Sequence, residues 1–202
     1  SGTCLLNSDF ERQKSNHLFN KVSSALRGGG YWIWKPYILL NTLKLLNYGD
    51  TLIYSDAGST IVNNPEYIKG LDNLILEIES SEYGVLGCRN LNIEKDWTKG
   101  DIFQYFDSYN DVSVTHSRQF SAGRLHIAKK CNHSLNIYST WWETAIKRPE
   151  LFDDSSSENP NFSGFKENRH DASVWSLICK KFGVVEKYDW DSIPVLPTRI
   201  RC

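Results

Sequence analysis

The stretch that decides the fold is residues 31–60, which read YWIWKPYILLNTLKLLNYGDTLIYSDAGST. Pro36 suits the first turn of a helix, because its missing N–H would have no partner there anyway. Six residues after it recur at helical spacing and predict one packed face: Ile38, Leu39, Thr42, Leu43, Leu45 and Leu46. Gly49 then ends the helix, and residues 51–54 form a β-prone run. The stretch therefore predicts a helix followed by a strand that ends beside Asp56.

Outward from this unit, helical and strand patterns alternate along the chain. Further helices are predicted at 10–26 (in part irregular), 67–79, 98–106, 135–147 and 171–182, and further strands at 3–6, 84–88 and 124–129. This alternation predicts an α/β fold with a central, mostly parallel (mixed) sheet flanked by helices. Ligands of such sheets bind beyond the carboxyl ends of strands, where Asp56 is expected. The polar segment 153–164, DDSSSENPNFSG, predicts a mobile loop.

The bulk composition bounds the class of protein. A chain of 202 residues suits one domain, and a net charge of -1 gives no overall attraction for nucleic acid. No apolar run approaches the roughly 18 residues of a membrane span. Five scattered cysteines without metal-ligand spacing predict reduced thiols and a cytoplasmic protein. The start at Ser1-Gly2 and the end at Cys202 predict a single domain, 1–202, cut from a longer polypeptide whose other domains are candidate partners.

Two candidate site residues flank the predicted helix and strand. A carboxylate at a strand end, such as Asp56, can ligate Mg²⁺ or Mn²⁺, and Gly58 after Ala57 lets a diphosphate approach the backbone. The alternative is an aspartate in a tight turn. Lys35 precedes a helix N-terminus, which attracts anions, but it could equally be a solvated lysine between core tryptophans.

Two further segments carry candidates later in the chain. The small residues Ser121, Ala122 and Gly123 precede a predicted strand and leave room for a ligand, although they also suit an ordinary strand entry. His170 could ligate a metal or shuttle protons, and Asp171 follows it. The alternatives are a histidine with ordinary hydrogen bonds and an aspartate that starts a helix.

Aromatic and basic residues elsewhere are candidates for acceptor binding, because aromatic planes often line sugar sites. They are Trp34, Trp97 and Lys99. Aromatic residues are more often simply core. Thr98 with Asp101 resembles a helix-capping box, and the start of a helix would explain Trp97 and Lys99 without a ligand.

Three of these segments, in this order, resemble the nucleotide-sugar glycosyltransferases of the GT-A fold. YWIWKPYILLNTLKLLNYGDTLIYSDAG is similar to the segment in which a basic residue opens a helix and the next strand ends in a DxD-type motif. FSAG before a strand and RHDAS before a helix resemble two later segments of that family. The resemblance covers roughly residues 27–182. It is greatest to retaining galactosyltransferase-like enzymes and to giant-virus (chlorella virus) or bacterial capsule-type domains.

The resemblance implies a role for each matching residue. Asp56 would bond the ribose or ligate Mn²⁺ or Mg²⁺, and Lys35 would stand in for an arginine near the diphosphate. Ser121, Ala122 and Gly123 would border the donor sugar. Asp171, and His170 beside it, would contact donor hydroxyls or the reacting carbon, and His170 is the second metal candidate. Gly58 replaces the second aspartate of the motif, which implies weaker metal binding or none.

The function that the resemblance implies is transfer of a sugar from a UDP-sugar to a glycan acceptor, with retention and with a divalent cation. Lys35 and Asp171 would be the catalytic residues. Three other classes stay open from the residues alone. A glycoside hydrolase could use Asp56 and Asp171 as its carboxylate pair, a carbohydrate-binding module could use the tryptophans, and a metal-dependent phosphoryl or nucleotidyl transferase could use Asp56.

Overall fold

The structure is a computed structural model that describes residues 8–61, 63–188 and 195–197. The strand predicted at 3–6 lies outside these residues. The described helices are α1 (Ser8–Gln13), α2 (His17–Ser23), the short helical turn α3 (Gly28–Tyr31), α4 (Lys35–Leu45), α5 (Pro65–Ser80), α6 (Glu94–Trp97), α7 (Gly100–Tyr105), α8 (Val112–Thr115), α9 (Asn132–Lys147) and α10 (Asp171–Phe182). The strands are β1 (Thr51–Ser55), β2 (Ser59–Ile61), β3 (Leu86–Ile93), β4 (Arg118–Phe120), β5 (Leu125–Lys129), β6 (Val185–Lys187) and β7 (Val195–Pro197). A 3₁₀ turn, Pro149–Leu151, follows α9. This mixture of helices and strands confirms the α/β class.

The described strands pair into small mixed sheets rather than a mostly parallel one, so that part of the prediction is wrong. β1 pairs antiparallel with β5, β3 antiparallel with β4, and β2 antiparallel with β7, whereas β3 and β6 run parallel. A single antiparallel bridge between Val85 and Ala128 connects the β3 region to β5. The helices between β3 and β4 have four to six residues. They are too short to act as the full crossover that would return the chain in parallel.

The helix–strand unit predicted from residues 31–60 forms as α4 and β1. Pro36 lies in the first turn of α4, and Leu39 and Leu43 are buried on its packed face. Leu45 ends the helix and is 81% exposed, so the buried face is narrower than the sequence pattern predicts. Gly49 lies in the turn before β1 with a φ of 93°. α4 packs against α9 and places its first residue, Lys35, at the end of β1 that carries Asp56.

The glycine run before α4 forms a left-handed turn. Five consecutive residues, 28–32, all have positive φ, between 53° and 91°. Glycine adopts this region without penalty, but Tyr31 and Trp32 do so at a cost. At Gly30 a side chain would lie 2.4 Å from the Ser23 carbonyl oxygen, so the turn packs directly on α2. The turn carries Tyr31 and Trp32 toward the first residues of α10.

The segment 153–164 is a loop, as predicted, but it is bonded to the body at several points, so nothing supports its predicted mobility. Asp101 accepts hydrogen bonds from the backbone N–H groups of Glu158 and Asn159, at 3.0 and 2.7 Å. Lys99 donates to Asp153 at 3.1 Å. Gly100 lies against the Pro160 carbonyl, where a Cβ would approach to 2.4 Å.

These contacts also correct the capping box expected at the start of α7. The residue before α7 is Lys99 and makes no side-chain cap. Thr98 instead donates to buried Glu94 at 2.6 Å, and Asp101 holds the loop. The box fails because both side chains have tertiary partners.

An aromatic core supports the elements that carry the candidate site. Trp141 of α9 and Trp175 of α10 are fully buried, with ring centroids 4.8 Å apart. His126 of β5 lies against both rings. This packing holds α10 against the sheet. No helix among the described residues is both long and apolar enough to cross a membrane.

Candidate functional site

Asp56 follows the last residue of β1 and ties that strand to the entrance of β5. Its backbone N–H donates to the Arg124 carbonyl at 3.0 Å, and the Arg124 N–H donates back to Asp56 Oδ2 at 2.9 Å. The Tyr54 hydroxyl donates to Oδ1 at 2.9 Å. Burial alone would raise the pKa of Asp56, but the charge of Lys35 and these hydrogen bonds outweigh it, so the pKa is lowered. Asp56 is therefore an ionised, well-held carboxylate.

Lys35, the first residue of α4, carries a buried ammonium group between two carboxylates. The residue is 2% exposed, and its Nζ lies 3.4 Å from Asp56 Oδ1 and 3.2 Å from Asp171 Oδ2. Nζ also donates to the Ala122 carbonyl at 2.9 Å. The Ala122 carbonyl accepts a hydrogen bond from Nζ, whereas the two carboxylates face the ammonium as ion pairs. Three residues that the sequence predicted as separate candidates thus form one cluster: Lys35, Asp56 and Asp171.

Asp171, the first residue of α10, is the carboxylate whose protonation is poised near neutrality. Burial raises its pKa to about 6, the nearby charge of Asp56 raises it too, and Lys35 opposes both. Its Oδ2 has no aligned hydrogen bond, so its attraction to Lys35 is electrostatic. A carboxyl group in this state can accept or release a proton at physiological pH.

His126 supports the cluster from behind, and sequence reasoning missed it. Burial, with a contribution from the charge of Lys35, lowers its pKa to about 4, so the ring is neutral. Its Nε2–H donates to the Ala122 carbonyl at 3.0 Å, and its Nδ1 accepts from the Tyr138 hydroxyl at 3.2 Å. The same carbonyl thus receives Lys35 and His126, which fixes the position of the ammonium. Side chains alternate between the two faces of the strand LHIAK, so His126 lies on the other face from Leu125 and Ile127. This alternation was the only local indication of its position.

The turn that leads into β5 supplies part of the wall beside this cluster. Ser121 donates its N–H to Cys88 and accepts from the Gly123 N–H through its hydroxyl, at 2.8 and 3.2 Å. Ser121 and Gly123 line the cleft, whereas the Ala122 side chain is fully buried and contributes through its carbonyl.

His170 lines the same cleft but is engaged by other partners. Its φ is 55°, and its ring stacks on Tyr31 with centroids 5.1 Å apart. Its Nε2–H donates to Asp154 at 2.9 Å. Burial lowers the pKa of His170 more than the Asp154 carboxylate raises it, so the ring is mostly neutral.

The cluster lies at a cleft of about 720 Å³, a size typical of small-molecule sites. Besides Lys35 the cleft is lined by four arginines, which are Arg27, Arg89, Arg124 and Arg169. Asp56 and Asp171 are the acidic residues of this described lining, so its cationic side chains outnumber its carboxylates. Sequence reasoning selected none of these arginines as site residues, because they are scattered along the chain and meet only in the fold.

Besides Ala122, five of the predicted site residues are not part of this described lining. Ala57 and Gly58 form the turn between β1 and β2. Trp34 is half-buried and donates its indole N–H to Gly28, while Trp32 takes the place at the cleft. Trp97 lies under Arg169, 4.0 Å from the ring centroid. Lys99 is buried in its ion pair with Asp153 and bonds Glu150 and Ser155 as well. Trp34, Trp97 and Lys99 thus each have a structural partner outside the described lining, and their role in acceptor binding stays a prediction.

The metal site expected at Asp56 and His170 does not fit the arrangement of these side chains. Among residues 8–61, 63–188 and 195–197, no group of three or more His, Cys, Asp or Glu side chains could hold a metal ion. The Lys35 ammonium lies 3.4 Å from Asp56 Oδ1 and repels a second cation there, and His170 Nε2 is bonded to Asp154.

Comparison with known proteins does not add a family. The chain matches no family model, no curated protein and no solved structure. The grounds for a function are therefore the geometry of the site and the resemblance carried by the sequence motifs.

Proposed function

We propose that the cleft binds a nucleoside-diphosphate sugar, a UDP-sugar by the resemblance, and that the protein is a single-domain GT-A-like glycosyltransferase. The observation that carries the proposal is the buried Lys35, held between Asp56 and Asp171 at the wall of a cleft lined by four arginines. The acceptor is a glycan hydroxyl group.

The charge of the cleft supports a diphosphate ligand. Guanidinium groups bind phosphate oxygens through paired hydrogen bonds, and an ammonium group adds a point charge. The arginines are held in place by carboxylates outside the lining, as Arg27 is by Asp154 at 3.1 Å and Arg89 by Glu186 at 2.9 Å. Such a preset charge can stabilise the negative charge that develops on a departing nucleoside diphosphate.

The two carboxylates support the chemistry of sugar transfer. Asp56, ionised and fixed, can accept hydrogen bonds from hydroxyl groups of the donor. Asp171, with a pKa of about 6, can accept the proton that the acceptor hydroxyl loses as it attacks. Lys35 holds both groups at the cleft.

Retention of the anomeric configuration is implied by the resemblance and remains a prediction, with the departing diphosphate taking the acceptor proton on the same face. The base role of Asp171 would give inversion instead. Proton NMR of the freshly formed product would measure the configuration, and an inverted anomer would contradict retention.

The cytoplasmic location expected from the cysteines also remains a prediction. Cys88, Cys131 and Cys179 are free thiols.

The proposed function is tested by binding of UDP-, GDP- and TDP-sugars, measured by calorimetry and by thermal shift. A true donor raises the melting temperature by mass action, by an amount that grows with its concentration. We expect Asp56→Asn to weaken that binding about tenfold or more, since hydrogen bonds to charged groups contribute roughly 1.5–3 kcal/mol. Asp72→Asn, at an exposed position of α5, is the matched control and should bind as the unmodified protein does. Absence of binding by every nucleotide sugar and by UDP would end the proposal.

A glycoside hydrolase is the second candidate, favoured by the closeness of two unlike carboxylates. Asp56 Oδ1 and Asp171 Oδ2 both contact Lys35, at 3.4 and 3.2 Å, so they lie at most about 7 Å apart, an upper limit that a retaining pair of about 5–5.5 Å satisfies. Their pKa values are moved in opposite directions, as acid and base roles require. Release of sugar from a glycan without any nucleotide would favour this candidate over the transferase.

A further inference from the structure

Asp56 and Asp171 are arranged like the ligands of a cation site, but the cation between them is a side chain of the protein itself. Two carboxylate oxygens face one positive charge from 3.4 and 3.2 Å, and the Ala122 carbonyl supplies a third oxygen at 2.9 Å. Oxygen ligands of this kind are those that Mg²⁺ and Mn²⁺ prefer. The charge at their centre is the ammonium of Lys35.

Lys35 cannot move away from the two carboxylates without leaving its ammonium group buried and unpaired. Its side chain is 3% exposed, and its stem belongs to the packed first turn of α4. A divalent cation placed between the same oxygens would lie within a few ångströms of that ammonium, and like charges at that distance repel strongly in a buried site. The ammonium and a metal ion therefore exclude each other.

The other oxygen of Asp56 is engaged as well. Oδ2 accepts the Arg124 N–H at 2.9 Å, and Oδ1 accepts the Tyr54 hydroxyl in addition to facing Lys35. A metal ion bound through the phosphates would compete with these donors for the Asp56 carboxylate. The arginines of the lining offer the phosphates fixed positive charge without that competition.

We propose that the Lys35 ammonium takes the place of a divalent cation, so that the cleft binds its diphosphate ligand without Mn²⁺ or Mg²⁺, and that removing this ammonium uncovers a divalent-cation site between Asp56 and Asp171. The first half of this inference rests on the proposed function. The second half concerns the side chains alone and holds whatever the cleft binds.

The test is a Mn²⁺ titration followed by electron paramagnetic resonance, which reports free and bound Mn²⁺ without any assay of activity. The unmodified protein is compared with Lys35→Met, which keeps the length of the side chain and removes its charge. Lys69→Met, at an exposed position of α5, is the matched control. We expect Lys35→Met to bind Mn²⁺ about tenfold or more tightly than the unmodified protein and the control do. The double variant Lys35→Met/Asp56→Asn should lose this gain.

A second titration includes UDP and separates the two halves of the inference. UDP binding to the unmodified protein should be the same in Mn²⁺ and in EDTA. UDP binding to Lys35→Met should be weak in EDTA and partly restored by Mn²⁺. If UDP does not bind in any condition, the proposed function fails while the Mn²⁺ titration still decides the cation site.

Two results would overturn the inference. One is Mn²⁺ binding to the unmodified protein that disappears in Asp56→Asn, and the other is UDP binding that requires Mn²⁺ in the unmodified protein. Both are measured on the protein with Lys35 in place, so they decide the question even if Lys35→Met does not fold. Equal Mn²⁺ affinities in a folded Lys35→Met and in the unmodified protein would also contradict it.

Discussion

At the scale of the residue, two aspartates of the cleft have opposite protonation behaviour because their surroundings differ. Asp56 accepts hydrogen bonds from the Tyr54 hydroxyl and the Arg124 N–H, which stabilise its ionised form. Asp171 is 6% exposed, and its contact with Lys35 does not offset the penalty of burial on its pKa. One residue type therefore supplies both a fixed charge and a proton carrier.

The raised pKa of Asp171 predicts the pH dependence of turnover. As a base, Asp171 must be ionised, so kcat/KM should rise with pH through about 6 and fall about tenfold per unit below it. Asp171→Asn should lower kcat/KM about 10²- to 10⁴-fold and abolish this acid limb. The measurement is a pH–rate profile of sugar transfer, with Asp72→Asn as a control that keeps the limb. An acid limb near pH 6 that persists in Asp171→Asn would assign it to another group.

At the scale of the element, the left-handed turn at residues 28–32 positions one side of the cleft. It delivers Trp32 to the lining and Tyr31 to the ring of His170, directly before Asp171. Three consecutive glycines allow such a turn at little conformational cost, because each enters the left-handed region without strain. The glycine run therefore forms a defined turn that places aromatic side chains at the cleft.

Two glycines with nearly equal φ angles provide a matched test of this turn. Gly30 and Gly49 have φ values of 91° and 93°, but only Gly30 has a neighbour in the way, the Ser23 carbonyl oxygen at 2.4 Å. Gly49→Ala should lower the free energy of unfolding by roughly 1–2 kcal/mol, from left-handed strain alone. Gly30→Ala should lose roughly 1–3 kcal/mol more, because of the clash. Urea unfolding measures both, and equal losses would show that packing on α2 does not constrain the turn.

At the scale of the whole molecule, a nearly neutral chain carries a cleft whose cationic side chains outnumber its carboxylates. The net charge is -1, yet four arginines and Lys35 line the described cleft with two aspartates. Its attraction for an anion is therefore local, and composition alone conceals it. Partly exposed charges act over distances comparable to the Debye length, which is about 8–10 Å at physiological salt.

This local field predicts salt-sensitive binding of UDP. Raising KCl from about 50 mM to about 500 mM should weaken UDP binding several-fold, because the Debye length shortens. Arg169→Gln should weaken binding at low salt and reduce the salt dependence. Arg12→Gln, on exposed α1 and paired with Asp9, should change neither. Calorimetry at the two salt concentrations measures this, and a salt-independent affinity would argue against recognition by the arginines.

The sequence by itself determined the local elements of this protein. α4 with Pro36 in its first turn, β1 ending before Asp56, and α10 beginning at Asp171 all follow from caps, breakers and periodicity within a few residues. Local reasoning named Lys35, Asp56 and Asp171 as candidates with structural alternatives, and the resemblance gave them their roles. Their types and positions at element ends were visible without a fold.

Only the tertiary structure decided how these elements meet. The antiparallel pairing of β5 with β1 depends on the direction in which the chain returns, which local pattern does not encode. The burial of Lys99 and the convergence of the arginines depend on partners far away in sequence. So does the decisive contact of the site, an ammonium from α4 between carboxylates from β1 and α10, because long-range packing sets which charges share one buried space.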